Sequence, residues 1–294
     1  GGQASESDKH RKPALPHGRA AASGLIICML HTIPRILEQT SACLAQHPFV
    51  APKFLRNRHA MTLFAALKAR RIDLSPFEGR EFETEPGVRV VAFCHWQAKK
   101  IAAPTLILVH GLEGSAEARY VCGTAMKAFR AGFNVVRMNV RNCGGTVRLS
   151  PGLYHSGLTD DLRGVTHELI ERDGLQAIWW GGFSMGANHV LKLAGELGEA
   201  VPAQLKGVFA VSPPLDLEMC ARDINRPENR LYEQRFLSSL KRTLRAKSQF
   251  FPGIVDLNRL ARVRNLWEFD EVVTAPHFGF RDARDYYARA SSGP

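Results

Sequence analysis

The sequence lacks several things that would define its class at once. No apolar run among the 294 residues approaches the ~20 needed to span a bilayer as a helix. The best candidate, LIICML at 25–30, is six residues long. A basic stretch precedes it, as in a secretory signal, but the apolar centre is too short. The small-residue site also lies ahead of it rather than behind. The six cysteines, Cys28, Cys43, Cys94, Cys122, Cys143 and Cys220, form no C-x-x-C pair. That argues against a disulfide framework and against a structural zinc site, and fits reduced cytosolic thiols. No internal repeat, zinc finger or aromatic-interleaved RNA motif is present, which removes the common nucleic-acid modules.

Acidic residues are also scarce relative to basic ones. The formal net charge is +11, and it is uneven. Residues 1–71 hold eleven Lys and Arg against three Asp and Glu, and residues 230–264 hold nine against two. The remainder is slightly acidic. Such patches are solvated faces first. Second, they suit peripheral contact with an anionic membrane or an anionic substrate. The expectation is a cytoplasmic protein with that capacity and no nucleic-acid partner.

Residues 1–48 read as an irregular leader. Their first half is rich in Gly, Ala, Ser, Lys and Arg and shows no sustained period, a composition that seldom folds alone. The domain is expected to begin at 49, and from Pro52 the texture is denser. Segments 81–85 and 88–96 flank Pro86-Gly87 and read as two strands joined by a turn. TLILV at 105–109 is apolar without alternation, the mark of a parallel strand covered on both faces. Helical segments at 117–131, 158–172 and 185–197 then alternate with strands at 133–140, 177–183 and 205–212. This alternation predicts βαβ units, so the expected fold class is α/β, a mostly parallel sheet flanked by helices. After Pro213-Pro214 the rhythm changes. Residues 216–266 are mainly helical and basic and read as a lid or cap, bounded at about 216–280, and 282–292 suggests one more short helix.

Three motifs carry chemistry. Gly182-Phe183-Ser184-Met185-Gly186 matches G-x-S-x-G between a strand and a helix. In that context the serine sits on a strained turn, the glycines avoid clashes, and the helix N-terminus faces developing negative charge. Ser184 is therefore the candidate nucleophile. His110-Gly111-Leu112-Glu113-Gly114-Ser115 follows strand TLILV, where this architecture places one oxyanion donor. The backbone N–H groups of Leu112 and Met185 are the candidate pair. His110 lies on the oxyanion side and reads as structural. Arg141-Asn142-Cys143-Gly144-Gly145-Thr146 reads as scaffold, with direct substrate contact as the alternative. Cys143 has no elbow of its own. His189 follows Ser184 by five residues on one helix, which points it roughly 140° away from the serine.

The segments FLRNRHAMTL (54–63), LVHGLEGSAEARYV (108–121), NVRNCGGTVRLSPGLYHSG (139–157), GGFSMGANHVLKLAGE (181–196) and AVSPPLDL (210–217) together resemble the YheT-like branch of α/β hydrolases, also called the AB hydrolase 4 family. EFDEVVTAPHFGFRDARDYYARAS (268–291) resembles its cap region. The resemblance covers 50–294. It implies a serine hydrolase of carboxylic or lipid esters, with acyl transfer to alcohols as an alternative. It implies no metal and no cofactor. It maps the nucleophile onto Ser184 and the oxyanion donors onto Leu112 and Met185. In that family a strand ending in the acid, and then a loop bearing the histidine, follow the DYY segment. The expectation is thus a C-terminally truncated member that lacks the acid and base of its triad. A catalytically inactive fragment is the third reading, and a triad built on His277 is a remote one. Losing the last strands would leave LKGVFAVS (205–212) as an apolar edge. This reading expects the 294-residue chain to express poorly or to fold only with its C-terminal segment restored; a monomeric product with a sharp thermal transition would overturn it.

Overall fold

The computed structural model describes residues 38, 41–43, 45, 46, 48–67 and 72–293. Most of the expected leader lies outside the described residues. The chain divides into two compact units, 1–69 and 70–294. That division and the expected boundary at 48/49 differ by one turn, Lys53–Leu55, and one helix, α1 (Arg58–Leu67). Phe54 and Phe64 meet edge to face at 6.0 Å within the first unit and tie the turn to the helix.

The second unit is built on a six-stranded sheet: β1 (Glu78–Glu85), β2 (Val88–His95), β3 (Thr105–Val109), β4 (Asn134–Met138), β5 (Ile178–Phe183) and β6 (Leu205–Val211). The spatial order is β1-β2-β4-β3-β5-β6. β1, β2 and β4 pair antiparallel, and β4, β3, β5 and β6 are parallel. The first strand begins three residues earlier than its composition suggests. Arg80 anchors the extension by donating to Glu168 and Asp173, each at 2.6 Å.

Both faces of the sheet are covered, which is why β3 shows no alternation. Ile107 and Val109 enter one apolar cluster with residues of α3 (Asp160–Glu171) and α4 (Met185–Leu197). Leu106 and Leu108 enter another with Val121 and Ala125 of α2 (Arg119–Arg130). All five residues of β3 are buried. At roughly 25 cal/mol per Å² of apolar surface, double coverage is the largest favourable term available to such a strand. The edge strand β6 is different: Phe209 and Val211 remain 38% and 44% exposed, in keeping with the apolar edge read from LKGVFAVS.

After β6 the chain is helical. It forms α5 (Leu217–Ile224), α6 (Arg230–Ser248), α7 (Leu257–Arg262), α8 (Leu266–Phe269), a π turn at Asp270–Thr274, α9 (Ala275–Phe278) and α10 (Ala283–Ala290). Leu237, Leu240 and Leu244 of α6 build a cap core with Leu153, Leu260, Phe269 and Val273. Among the described residues no helix is long and apolar enough to cross a membrane.

Lys247 of α6 is wholly buried. Its Nζ donates to Asn142 Oδ1 at 2.7 Å, Val147 O at 3.2 Å and Ser150 O at 2.5 Å. Three acceptors use the three ammonium protons, but none carries a charge. Burial first, and the Arg141 guanidinium second, lower the Lys247 pKa to about 8. A base whose folded pKa lies below its unfolded value binds fewer protons when folded. Its burial penalty is therefore full below pH ~8 and fades as pH rises towards ~10.5. Lys247→Met should cost about 3 kcal/mol at pH 7.5, because three buried acceptors lose their donor. In urea denaturation the advantage of Lys247 over Met should then grow between pH 8 and 10; an advantage that shrinks over this range contradicts the assignment.

Candidate active site

The four described non-glycine residues with positive φ are Glu113 (53°), Asn142 (69°), Ser184 (52°) and Ser212 (52°). Each follows the C-terminal end of one of the four parallel strands, the edge where open α/β sheets place their sites. Such conformations cost of order 1–3 kcal/mol each and persist only where the surroundings enforce them.

At Ser184 the enforcement is steric and hydrogen-bonded. Its N–H donates to Val211 O on β6 at 2.9 Å, while its carbonyl accepts from Ala187 and Asn188 and opens α4. A Cβ on Gly182 would lie 2.2 Å from Gly186 O. A Cβ on Gly186 would lie 2.5 Å from both Val109 O and His110 O. Only glycine fits at either position, so G-x-S-x-G here is a packing requirement. Ser184 is exposed, and no described residue is hydrogen-bonded to its Oγ. Met185 follows as the first residue of α4, a position whose N–H has no partner within the helix.

The loop after β3 is pinned from several sides. Gly111 N–H donates to Tyr120 Oη at 3.0 Å, and Ala116 N–H donates to Asn139 Oδ1 at 2.8 Å. Arg137 Nη1 donates to Ala116 O at 2.7 Å. The Glu113 carboxylate accepts three hydroxyls: Tyr154 at 2.6 Å, Ser239 at 2.8 Å and Thr243 at 2.7 Å. Ser239 and Thr243 stand one turn apart on α6, so the residue beside Leu112 is clasped directly to the cap.

Ser184, Leu112 and Met185 line one cavity of about 320 Å³. The structure thus brings the three expected site residues together. Phe236 and Leu240 of α6, Leu266 and Phe269 of α8, and Tyr286 and Tyr287 of α10 form one part of its apolar wall. Two further polar residues line it: Asp270, an acid the sequence offers but not at the end of a strand, and His155, whose place in the wall the sequence does not show. Asp270 opens the π turn and accepts from Thr274 Oγ1 at 2.6 Å and Tyr287 Oη at 2.8 Å. Burial raises its pKa to about 6, against the lowering effect of those two hydroxyls. Glu268 and Glu271 flank Asp270 in the sequence, so nothing local marks it as the acid that faces the cavity. His155 is surrounded by Phe278, Phe280 and Tyr286.

None of the nearby histidines is free to act as a base. Val140 N–H donates to His110 Nε2 at 3.1 Å, which leaves the proton on Nδ1 for Gly111 O at 2.7 Å. Burial lowers the His110 pKa to about 4. Gly157 N–H occupies His155 Nδ1 at 3.1 Å, and burial lowers that pKa to about 3. Leu153 N–H occupies His277 Nε2 at 3.2 Å. His189 is buried and its Nε2 meets His155 O at 3.0 Å. Burial drives the Cys143 thiol far above its ordinary range, so it is not a nucleophile. Among the described residues no cluster of His, Cys, Asp and Glu is placed to hold a metal ion.

A strained serine between a parallel strand and a helix, on a sheet of this order, defines the α/β-hydrolase class. A model of the alpha/beta hydrolase fold matches residues 104–261, and the chain belongs to that family. Its YheT-like branch is marked by 30% identity over 249 residues, 84% of this chain and 72% of the other, to the Escherichia coli (strain K12) protein named "Putative esterase YheT". The chain is also 30% identical over 200 residues to a monoacylglycerol lipase of Saccharomyces cerevisiae, and 28% identical over 189 residues to phospholipase ABHD3 of Mus musculus. These alignments cover 65% and 64% of this chain, and it spans only 44% and 46% of those two proteins.

The clasp at Glu113 is testable by itself. Glu113→Ala removes the carboxylate that accepts from three hydroxyls and should lower stability by about 2–4 kcal/mol. Glu113→Gln keeps one carbonyl oxygen and should fall between the two. Urea midpoints read this, and an unchanged midpoint for the alanine variant would refute the clasp.

Proposed function

We propose that the site performs serine-dependent cleavage of carboxylic esters through an acyl-enzyme on Ser184. The observation that carries the reading is Ser184 itself, held at φ 52° between β5 and α4 and exposed to an apolar cavity. Its Oγ attacks the ester carbonyl carbon, and the carbonyl oxygen takes up negative charge. The N–H groups of Leu112 and Met185 are the donors for that oxygen, each worth roughly 2.7–4 kcal/mol in comparable sites. Collapse of the intermediate breaks the bond to the alcohol, which leaves with the proton given up by Ser184 Oγ, and the acyl group stays on Oγ. Water then releases the acid. An alcohol in place of water would make the reaction a transfer.

The substrate class follows from the wall. A cavity of about 320 Å³ faced by Phe236, Leu240, Leu266 and Phe269 favours a lipophilic acyl group. The relatives named as lipase and phospholipase point the same way. Base and acid are not assigned to any described residue: His110, His155 and His277 each take a backbone N–H on a ring nitrogen, and His189 is buried with its Nε2 on the His155 carbonyl. Without a base, about 10³–10⁴ of rate enhancement from the oxyanion donors and binding would remain.

A fluorophosphonate probe tests the nucleophile. Applied to this chain and to one extended by the C-terminal segment of YheT-like relatives, it should label Ser184 in the extended chain, and Ser184→Ala should abolish the label. Label that survives this substitution would overturn the assignment, and label on the shorter chain would reveal a base among its own residues. Product analysis with added ethanol separates hydrolysis from acyl transfer.

A further inference from the structure

The cap helix α6 presents two faces with opposite chemistry. Glu233, Leu237, Leu240, Leu244 and Lys247 are buried. Counted at about 100° per residue, Leu231, Arg235, Ser238, Arg242, Arg245 and Gln249 fall within roughly 100° of one another, on the side directly opposite. All six are exposed, and Leu231 is 86% exposed. The outward stripe therefore carries three arginines, with an exposed leucine at its N-terminal end and Ser238 and Gln249 as its uncharged members.

α7 extends the stripe. Lys241 Nζ donates to Ala261 O at 3.3 Å and Val263 O at 2.5 Å, and Gln234 Nε2 donates to Arg264 O at 2.9 Å. These bonds lay the end of α7 along the flank of α6, and Arg259 and Arg262 of that neighbouring helix are exposed. Among the described residues Arg235, Arg242, Arg245, Arg259 and Arg262 form no ion pair, although the same chain pairs Arg80, Arg89, Arg141, Arg163 and Arg222 with carboxylates. Exposed Phe250 and Leu257, 53% and 45% accessible, lie at the ends of α6 and α7.

We infer that the outer face of α6 and α7 is a docking surface for an anionic lipid bilayer. Unpaired guanidinium groups gain from lipid phosphate and carboxylate at the surface potential of an anionic leaflet. Leucine and phenylalanine among them can enter the headgroup region, which hydrated nucleic-acid phosphate does not offer. The basic residues are not interleaved with a stacking platform of aromatic rings, as a nucleic-acid surface would require. Docking by this face would hold the cavity of Ser184 about one helix diameter, ~10 Å, from the headgroups. The inference concerns the outer cap and is independent of the reaction assigned to Ser184.

Co-sedimentation with vesicles tests it on the chain as it stands. Vesicles of phosphatidylcholine with 30 mol% phosphatidylserine, about the anionic load of a cytoplasmic leaflet, should retain the protein at ~0.1 M NaCl. Pure phosphatidylcholine should not, and ~0.5 M NaCl should release the protein, as screening requires. The triple variant Arg235→Glu, Arg242→Glu, Arg245→Glu should weaken binding at least about tenfold. Lys99→Glu, Lys127→Glu, Arg130→Glu changes net charge equally at exposed sites elsewhere and should bind as the parent does. Equal losses in both variants would mean net charge alone is read. No loss in the first would place binding elsewhere in the chain. Tighter retention on polyuridylate than on vesicles, lost in the first variant, would assign the face to nucleic acid. Each of these three results overturns the proposal. Ser184→Ala should bind vesicles unchanged, so the vesicle result and the labelling result stand or fall separately.

Discussion

The site depends on one close approach. The Cα of Gly186 lies against the carbonyls of Val109 and His110, so near that a methyl group there would sit 2.5 Å from either oxygen. This contact seats the first turn of α4 on the end of β3. It thereby fixes where Met185 N–H points relative to the loop that carries Leu112. The turn at Ser184 is the geometric consequence: β5 must reverse into α4 within one residue, and φ 52° with ψ −120° achieves it. The backbone strain is held by Ser184 N–H on Val211 O and by Gly182 packed beneath Gly186. Strain of order 1–3 kcal/mol at a residue is retained only under such over-determination.

The same logic recurs along the sheet edge. Glu113, Asn142 and Ser212 are also turned to positive φ where β3, β4 and β6 end. Two of them are fastened to the same helix. Glu113 accepts hydrogen bonds from the Ser239 and Thr243 hydroxyls, and Asn142 Oδ1 accepts one from Lys247 Nζ. These three donors stand four residues apart on α6, a spacing that keeps them on one side of a helix. The loops after β3 and β4 are thus held against one element, and the geometry of the site is set at its rim as well as at its elbow.

How much of this was legible in the sequence follows from the range of each interaction. The doubly covered strand TLILV, the alternation of strand and helix, and the elbow at Ser184 are local patterns, written in a window of a few residues, and each is present. The three expected site residues meet in one cavity because β3 and β5 are neighbours in the sheet, which sets the loop after one beside the turn after the other. The clasp was not legible. Tyr154, Ser239 and Thr243 lie 41, 126 and 130 positions from Glu113, and a hydroxyl in a basic amphipathic segment gives no sign of its partner. Lys247 reads as one more charge in a run of nine, and only the fold shows it buried among carbonyls. His155 sits within a motif that was noted, yet its role in the wall depends on Phe278, Phe280 and Tyr286, more than 120 residues onward. That the segment after Pro213-Pro214 is helical was legible; its attachment to the loops after β3 and β4 was not.

That attachment bears on what kind of cap it is. A lid that opens on a hinge needs a weakly held inner face. The inner face of α6 carries leucines packed with Leu153, Leu260, Phe269 and Val273, and beside them two polar clusters whose acceptors are largely withdrawn from water. Hydrogen bonds to a charged group are worth about 1.5–3 kcal/mol each, and separating buried partners adds the cost of leaving them unsatisfied. Lifting α6 would break three such bonds at Lys247 and two at Glu113 together. It would also release the residue beside Leu112 from its constraint. A cap so fastened supports the site by staying in place. Its third face, the outward arginines, is then free to answer to a partner without disturbing the other two.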